Sequence, residues 1–309
     1  MLKSGIYLMD YDGQEVFSGI DPESLSGAHP GWSRDVSALG PWDRIPLPEN
    51  KKGQRVWSAG GYKGSSPIWI TGTATSSMDV ARLLIRQNLM TPWSSVLAVR
   101  QTAGRGQRQR QWISPSGNIY GTWFWPFNKT SNENLARYKP MASLLAGDIL
   151  SSIFLDMGID LRIKWPNDLL LDNRKLCGIL VEDRGGHLLV GMGINLVTAP
   201  EKTSLRDEFV LPATCLDSGG TAFTPLAIWS KLMESGKKRF EDITQTMDPD
   251  FFLEQLETRM AWVGTGILIR EEGKTPFEAR LSGIAADGGL KILRNGKREV
   301  IYSGTIRPL

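Results

Sequence analysis

The chain has 309 residues, of which 41% are hydrophobic and 22% are charged, so it can bury a large core and is neither a disordered nor a coiled-coil protein. A formal net charge of +3 does not by itself predict a polyanionic partner, so any basic function must be local. Two cysteines and two histidines exclude a disulfide scaffold and a structural zinc site, and no apolar run is long enough to span a membrane. The sequence start does not lead into a signal-peptide core, so we expect a cytoplasmic protein without a membrane partner.

Residues 1–65 are rich in Gly, Pro, Ser and Trp, with turn signals such as Asp12–Gly13 and Gly60–Gly61. Little 3.6-residue periodicity is present, so we predict a loop-rich or short-stranded extension without consecutive amphipathic helices. A DNA-binding helix-turn-helix would need such helices, so we do not expect one in this extension. We interpret the extension as a packing or lid segment, and the sequence assigns it no function.

A short strand is predicted at Pro67–Ile70, followed by a helix over Met78–Gln87 that Thr75, Ser76 and Ser77 would cap. The free N–H groups at a helix start favour a negative group, which fits a ligand carboxylate or phosphate near the two serines. Capping alone explains these residues nearly as well.

A loop rich in glycine and arginine, residues 104–112, lies between the apolar stretch Ser95–Val99 and the strand-like Asn118–Trp125. Its three arginines within six residues offer planar guanidinium groups suited to carboxylate and phosphate oxygens, and its glycines let the backbone approach a ligand closely. The loop favours an anionic ligand. A basic patch for nucleic acid and simple solubilising charge are alternatives that spacing alone does not separate.

The pentapeptide Lys164–Asp168 carries more charge than a strand needs, and it precedes an apolar run and then Arg174–Leu180. Pro166 fixes its own φ and favours an extended Trp165, so a cation, an amide and a carboxylate are presented in a defined order at the mouth of a strand. Taken alone, the pentapeptide is explained equally well as a solvated turn capped by Asn167 and the aspartate.

The remaining pattern predicts ordinary elements of a globular core. They are one long buried helix over Asn132–Met157, a β-hairpin of Gly178–Glu182 and His187–Leu196, two helices over Pro225–Gln245 and Asp248–Arg259, and a small β-barrel over residues 260–309.

Together, in this order and at this separation, the loop and the pentapeptide resemble the biotin protein ligases, whose glycine–arginine adenylation loop and Lys-Trp-Pro-Asn-Asp segment read nearly as they do in this chain. The resemblance extends to Ser76–Met78, Gln101 and Gly191–Asn195, and it runs from near Ile68 to Leu309. It implies an α+β fold, in which a mixed sheet flanked by helices forms a class II synthetase-like catalytic domain over residues 66–257. An SH3-like β-barrel domain would follow over residues 258–309.

The resemblance implies a reaction in two steps. The biotin carboxylate attacks the α-phosphate of ATP, and biotinyl-5′-AMP then acylates a lysine of a biotin carboxyl carrier protein. ATP and biotin would be the substrates, Mg²⁺ would arrive with ATP, and a homodimer is one possible assembly. Two alternatives stay open, namely a lipoate or octanoate ligase and a non-catalytic biotin-binding protein.

Roles for individual residues follow from the same resemblance. Lys175 would contact the biotin carboxylate and the α-phosphate, Arg105 would contact the adenylate, and Asp168 would orient the incoming lysine or hold Mg²⁺. The residues expected to bind biotin or biotinyl-AMP are Ser76, Ser77, Met78, Gln101, Gly104, Arg105, Gly106, Gln107, Lys175 and Gly178. Those expected to bind the nucleotide are Arg108, Arg110, Trp112, Lys164, Asn167 and Asn195, and no dedicated metal site is expected.

The loop departs from the family pattern at two positions. Family loops commonly read Gly-Arg-Gly-Arg-Arg-Gly-Arg, and this chain has Gln107 in place of the second arginine and Gln109 in place of the third glycine. Gln107 removes a positive charge beside the adenylate, and Gln109 restricts the backbone. We hypothesise that the protein holds biotinyl-AMP less firmly than its relatives do.

Overall fold

The computed structural model describes residues 4–47, 54–107, 110–127, 133–184, 187–200, 209, 211–217, 219 and 222–309. The chain divides into two compact units, each built from separated stretches. Unit 1 comprises Met1–Pro126, Ile179–Ala199 and Cys215–Lys237, and unit 2 comprises Phe127–Gly178, Pro200–Thr214 and Lys238–Leu309. The predicted division at residues 65/66 and 257/258 stays a prediction.

Strands outnumber helices among the described residues. The strands are β1 (Ile6–Met9), β2 (Trp42–Pro46), β3 (Arg55–Ala59), β4 (Ile68–Ala74), β5 (Ser95–Gln101), β6 (Ile119–Pro126), β7 (Arg162–Lys164), β8 (Asp168–Leu171), β9 (Arg174–Asp183), β10 (His187–Ile194), β11 (Gly266–Arg270), β12 (Phe277–Ile284), β13 (Leu290–Arg294), β14 (Lys297–Ile301) and β15 (Thr305–Pro308). The helices are α1 (Pro22–Ala28), α2 (Pro30–Leu39), α3 (Ser77–Arg86), α4 (Glu133–Tyr138), α5 (Ala142–Leu155), α6 (Pro225–Glu241) and α7 (Pro249–Arg259).

Unit 1 is built on a mixed sheet with the strand order β2-β3-β1-β4-β5-β6-β10. Strand β4 pairs in parallel with β1 and with β5, and the other described pairs in this part of the sheet are antiparallel. Helix α3 buries Met78, Val80 and Leu84 in a core that contains Trp69 of β4 and Leu189 of β10. The predicted mixed sheet flanked by helices is therefore confirmed.

The N-terminal extension contributes three strands to this sheet, as the short-stranded interpretation predicted. It also contains two consecutive helices, α1 and α2, so the prediction of an extension without consecutive helices was wrong. Each begins with a side-chain cap followed by proline, and the capping residues are Asp21 and His29. Because these helices have only 7 and 10 residues, their caps mark them more clearly than any periodicity does.

In unit 2, helices α4 and α5 replace the single long helix that we predicted over Asn132–Met157. The prediction was wrong because Pro140 has no N–H to donate and its ring clashes with the preceding turn, so α4 ends at Tyr138. Residue 132 lies outside the described residues. The two later helices are confirmed as α6, which continues into a π-helical turn at Asp242–Thr246, and α7.

The C-terminal part of unit 2 is a five-stranded antiparallel sheet with the order β14-β13-β12-β11-β15. Alternate side chains such as Ile267, Ile269, Ile292 and Ile306 are fully buried, which is the pattern of a sheet with one face on a core. Closure of this sheet into an SH3-like barrel stays a prediction. In the parts of the chain that the structure describes, no helix is both long and apolar enough to cross a membrane.

Candidate functional site

Two lysines flank a buried aspartate in unit 2. Lys164 ends β7 and is the cross-strand neighbour of Asp168, which begins β8. Asp168 Oδ2 lies 3.2 Å from Lys164 Nζ, and Asp168 Oδ1 lies 2.7 Å from Lys175 Nζ. We call these three residues the lysine cluster.

A β-bulge in β9 places Lys175 in this cluster. Lys175 pairs with Leu170 and Cys177 pairs with Leu169, so Leu176 is an extra residue in β9. Side chains alternate between the two faces of a strand, so Lys175 shares a face with Asp168. Without the extra residue Lys175 would pair with Leu171 and lie on the opposite face.

Electrostatics in the lysine cluster favour an ionised aspartate. Burial opposes the charge on Asp168, but Lys175 and Lys164 outweigh that effect and hold the pKa of the Asp168 carboxyl below its ordinary value. Two cations and one anion leave the cluster with a formal charge of +1 at neutral pH. The Lys164 side chain is 7% exposed and that of Lys175 is 25% exposed, so Lys175 presents the accessible charge.

The turn that carries the cluster is anchored by Trp165, whose buried indole Nε1 donates a hydrogen bond to the Gly288 carbonyl at 3.0 Å. Asn167 is half-buried in this turn, and Gly178 pairs with Asp168 across β8 and β9. Burial raises the pKa of the neighbouring Cys177 thiol, so a thiolate nucleophile is disfavoured at this position.

In unit 1, the glycine–arginine loop folds back on itself. Trp112 N donates to the Gly104 carbonyl at 2.8 Å, and Gly106 N donates to the Arg110 carbonyl at 2.7 Å. A Cβ on Gly104 would lie 2.6 Å from the Trp112 carbonyl oxygen, so the loop's own packing requires that glycine. A Cβ on Gly106 would lie 3.5 Å from its nearest neighbour, the Arg110 carbonyl oxygen, so packing does not require glycine at that position.

Arg105 is the loop arginine with the best defined contacts. Its Nη2 donates to Asp79 Oδ1 at 2.6 Å and to Ser76 Oγ at 3.2 Å. Ser76 is the N-cap of α3, because its Oγ accepts a hydrogen bond from Asp79 N at 3.2 Å. The loop is therefore tied to the start of α3.

Asp79 belongs to a chain of ion pairs that we did not predict. Arg82 pairs with Asp79 and, at 2.6 Å, with Glu182, which also pairs with Arg184 at 2.6 Å. Burial opposes the charge on Glu182, but hydrogen bonds from Arg82 and Arg184 hold its pKa below the ordinary value. The spacing Ser76-x-x-Asp79 marks a capped helix start, whereas the pairing of Arg82 with Glu182, 100 residues away, has no local signal.

Ser77 and Gln101 are held mainly by other protein groups. Gln101 Oε1 accepts a hydrogen bond from Ser77 N at 2.8 Å, and Gln101 Nε2 donates to Ser114 Oγ at 2.9 Å. Ser77 Oγ accepts from Thr122 Oγ1 at 2.9 Å. Gln101 thus satisfies an N–H at the start of α3 and fixes the strand that leads into the loop.

The other predicted residues of unit 1 have different environments. Met78 is buried in the core, where a Cβ on Gly191 would lie 2.9 Å from its Sδ. Trp112 is half-buried and covers Gly193, whose added Cβ would lie 2.4 Å from the ring. Asn195 is buried directly after β10.

Gln107 is half-buried and its carbonyl accepts a hydrogen bond from Arg110 N at 3.3 Å, while the Arg110 side chain is exposed. Arg108 and Gln109 lie outside the described residues.

The structure brings some of the predicted site residues together. Direct hydrogen bonds join Ser76 to Arg105 and Ser77 to Gln101 in unit 1, and ion pairs join Lys164, Asp168 and Lys175 in unit 2. Among the residues that the structure describes, no group of three or more His, Cys, Asp or Glu side chains could hold a metal ion.

Comparison with known proteins identifies the part of the chain that carries both motifs. Residues 71–197 match the model of the biotin/lipoate A/B protein ligase family. The chain carries a biotin/lipoate A/B protein ligase domain. This ligase domain contains the glycine–arginine loop, α3 and the lysine cluster, so the resemblance stated from the sequence is confirmed.

Two relatives match the chain over 146 residues or more. The bifunctional ligase/repressor BirA of Bacillus subtilis is 31% identical over 226 residues, which are 68% of this chain and 65% of the relative. A biotin–[acetyl-CoA-carboxylase] ligase of Paracoccus denitrificans is 33% identical over 146 residues, which are 42% of this chain and 55% of the relative. The chain thus spans less than two thirds of the length of each of these proteins.

Solved structures share the fold. A biotin protein ligase from Aquifex aeolicus, in complex with biotin and ATP, matches 80% of this chain and 100% of its own, with a TM-score of 0.63 and 23% identity. A biotin protein ligase from Leishmania major, in complex with biotin, matches 76% of this chain and 97% of its own, with a TM-score of 0.50 and 26% identity. The mixed sheet and helices are therefore those of a biotin protein ligase fold.

Proposed function

We propose that this protein is an ATP-dependent biotin protein ligase, which forms biotinyl-5′-AMP and transfers biotin to a specific lysine of a biotin carboxyl carrier protein. The observation that carries the proposal is the pairing of Lys175 with the buried Asp168, because it supplies a fixed and accessible positive charge. The name of the Paracoccus denitrificans relative, a biotin–[acetyl-CoA-carboxylase] ligase, supports the choice of biotin.

The first step joins two anions. An oxygen of the biotin carboxylate attacks the α-phosphorus of ATP, the bond from that phosphorus to the α,β-bridging oxygen breaks, and pyrophosphate leaves. Negative charge gathers around the α-phosphorus, so fixed cations lower the barrier. We assign this role to Lys175, with Lys164 holding the other oxygen of Asp168, and we assign contact with the adenylate to Arg105.

The second step transfers the biotinyl group. The uncharged amine of the acceptor lysine attacks the biotinyl carbonyl carbon, the bond to the phosphate oxygen breaks, and AMP leaves while the amine loses a proton. Both oxygens of Asp168 already face lysine ammonium groups of this chain, at 2.7 and 3.2 Å. We therefore favour a role for Asp168 in orienting Lys175 over a role as a Mg²⁺ ligand.

Mg²⁺ would accompany ATP as its counterion, since ATP phosphates supply oxygen ligands themselves. The described residues provide no acidic cluster to hold the ion, so we derive no step from it. The proposal places the reaction in the cytoplasm, with the carrier protein as partner and with neither nucleic acid nor membrane involved. Assembly as a homodimer is compatible with this activity.

Mass spectrometry of the purified protein with Mg-ATP, equimolar biotin and lipoate, and a biotin carrier domain tests this function. We expect biotinyl-AMP and a carrier domain that gains one biotinyl group on a lysine. Lipoyl products would replace the proposal with lipoate ligation, which the family model also covers. Biotin binding without any adenylate would instead show a binding protein.

A further inference from the structure

A short segment of unit 2 borders β9 at Lys175. Lys175 N donates a hydrogen bond to the Pro212 carbonyl at 2.8 Å, and Thr214 N donates to the Lys175 carbonyl at 2.9 Å. Lys175 and Ala213 thereby form a parallel β-bridge, and Arg174 Nη2 donates to the Ala213 carbonyl at 2.9 Å. Since β8 pairs with Lys175 along the other edge of β9, the backbone of this lysine is held from both sides.

Three residues before Pro212, the ring of Phe209 is only 1% exposed and lies against two arginines of the C-terminal sheet. Arg270 Cζ is 4.3 Å and Arg307 Cζ is 5.5 Å from the ring centroid, both within cation–π range. Arg270 ends β11 and Arg307 lies in its neighbour β15. Within the described residues Arg307 Nε has no hydrogen-bond acceptor.

We propose that Phe209, Arg270 and Arg307 act as positioning residues for Lys175. A span of three residues reaches at most about 10 Å, so fixing the Phe209 ring restricts where Pro212 and Thr214 can lie. Those two residues in turn hold the N–H and the carbonyl of Lys175. We call the three positioning residues the phenylalanine clamp.

The clamp matters because Lys175 precedes the bulge at Leu176. A bulge interrupts regular pairing, and loss of one residue of register would move Lys175 to the face away from Asp168. The segment at 212–214 supports β9 at this point. A displacement of about 1 Å in a charged group can cost about a hundredfold in rate, so the clamp would act on the rate constant rather than on substrate binding. This inference rests on the proposed role of Lys175 in adenylation.

The clamp can be tested with the full chain carrying Phe209→Ala, Phe209→Tyr or Arg307→Gln. Arg294→Gln is the matched control, because Arg294 stacks at 4.0 Å on Phe277 in the same sheet. Hydrogen–deuterium exchange is measured at the amides of Lys175 and Thr214. Single-turnover adenylate formation is measured over a range of biotin concentrations.

We expect Phe209→Ala and Arg307→Gln to speed exchange at both amides by about tenfold and to slow adenylation at saturating biotin by about tenfold, with KM for biotin changed less than about threefold. Phe209→Tyr retains the ring and should behave as wild type, as should Arg294→Gln. Unchanged exchange at the two amides in Arg307→Gln would overturn the clamp, and so would faster exchange with normal adenylation. If the wild-type protein forms no adenylate, the proposed function fails, and the exchange data still decide whether the clamp holds β9.

Discussion

Arg105 donates a hydrogen bond to Asp79 at 2.6 Å, so a carboxylate on the first turn of α3 holds the side chain of this loop arginine. The bond uses Nη2, and a guanidinium has further N–H groups that can meet a ligand. Asp79 therefore orients Arg105 without using all of its donors.

Asp79→Asn should release biotinyl-AMP about fivefold faster, because a charge-assisted bond that fixes Arg105 becomes a weaker neutral one. Stopped-flow tryptophan fluorescence measures the release rate. Asp10→Asn is the control, since it breaks another 2.6 Å carboxylate–arginine pair, with Arg44. Equal release rates for Asp79→Asn and wild type would show that Asp79 does not orient the arginine.

Lys175→Ala should leave folding intact and reduce adenylation by about a hundredfold or more, because it removes the accessible cation of the lysine cluster. Pyrophosphate release measures the activity, and thermal unfolding measures the fold. Lys274→Ala, which removes an exposed lysine paired with Glu271 at 2.8 Å, is the matched control. Near-normal turnover of Lys175→Ala would remove this lysine from the mechanism.

Gln107→Arg should slow the release of biotinyl-AMP, because it restores the positive charge that family loops commonly carry at this position. The dissociation half-life of the purified complex is the measurement. Gln87→Arg adds the same charge at the exposed end of α3 and should leave the half-life unchanged. An unaltered half-life in Gln107→Arg would mean that this substitution does not weaken retention.

Gly104→Ala and Gly106→Ala form a pair that separates loop packing from ligand contact. The added Cβ of Gly104→Ala meets the Trp112 carbonyl, so this variant should lower Tm by several degrees. Gly106→Ala meets no close neighbour and should retain the wild-type Tm. Any loss of affinity for biotinyl-AMP in Gly106→Ala would then reflect the contact between the loop and its ligand, not the packing of the loop. Equal Tm values for both variants would contradict the loop geometry.

Asp35 makes stability depend on pH. Its carboxylate accepts hydrogen bonds from Thr224 Oγ1 at 2.5 Å and Leu226 N at 2.9 Å, and burial raises the pKa of Asp35 from 3.8 to about 6. Between these two values the folded chain keeps a proton that the unfolded chain has released, so this residue makes stability fall as pH rises through that window.

Asp35→Asn should remove that fall. Urea unfolding midpoints between about pH 4 and pH 7 give the comparison, and Asp43→Asn, at an exposed position of β2, is the control. The same dependence of midpoint on pH in Asp35→Asn and wild type would assign the effect to other groups.

The sequence predicted local features well. A capping serine at Ser76 correctly places the start of α3, and the apolar stretches on either side of the loop became β5 and β6. These features depend on neighbouring residues, so periodicity and capping chemistry report them. The order and spacing of the loop and the pentapeptide were sufficient to indicate the family.

Features that depend on register or on distant pairs were not predictable. No residue type marks Leu176 as a bulge, yet the bulge decides which face of β9 carries Lys175. The contact of Arg82 with Glu182 depends on how α3 packs on the sheet. Gln101 was assigned to biotin from the resemblance, and the structure shows partners for its amide at Ser77 and Ser114.

Strand β1 lies between β3 and β4, and it pairs in parallel with β4 from Ile6 opposite Ile68 to Leu8 opposite Ile70. Residues 1–65 are therefore not an appendage that can be cut away to obtain a minimal ligase domain. Such a truncation would expose the N–H and carbonyl groups along one edge of β4, together with the apolar side chains that β1 covers. An open edge of this kind invites pairing between copies, so the shortened protein should aggregate where the full chain stays dispersed.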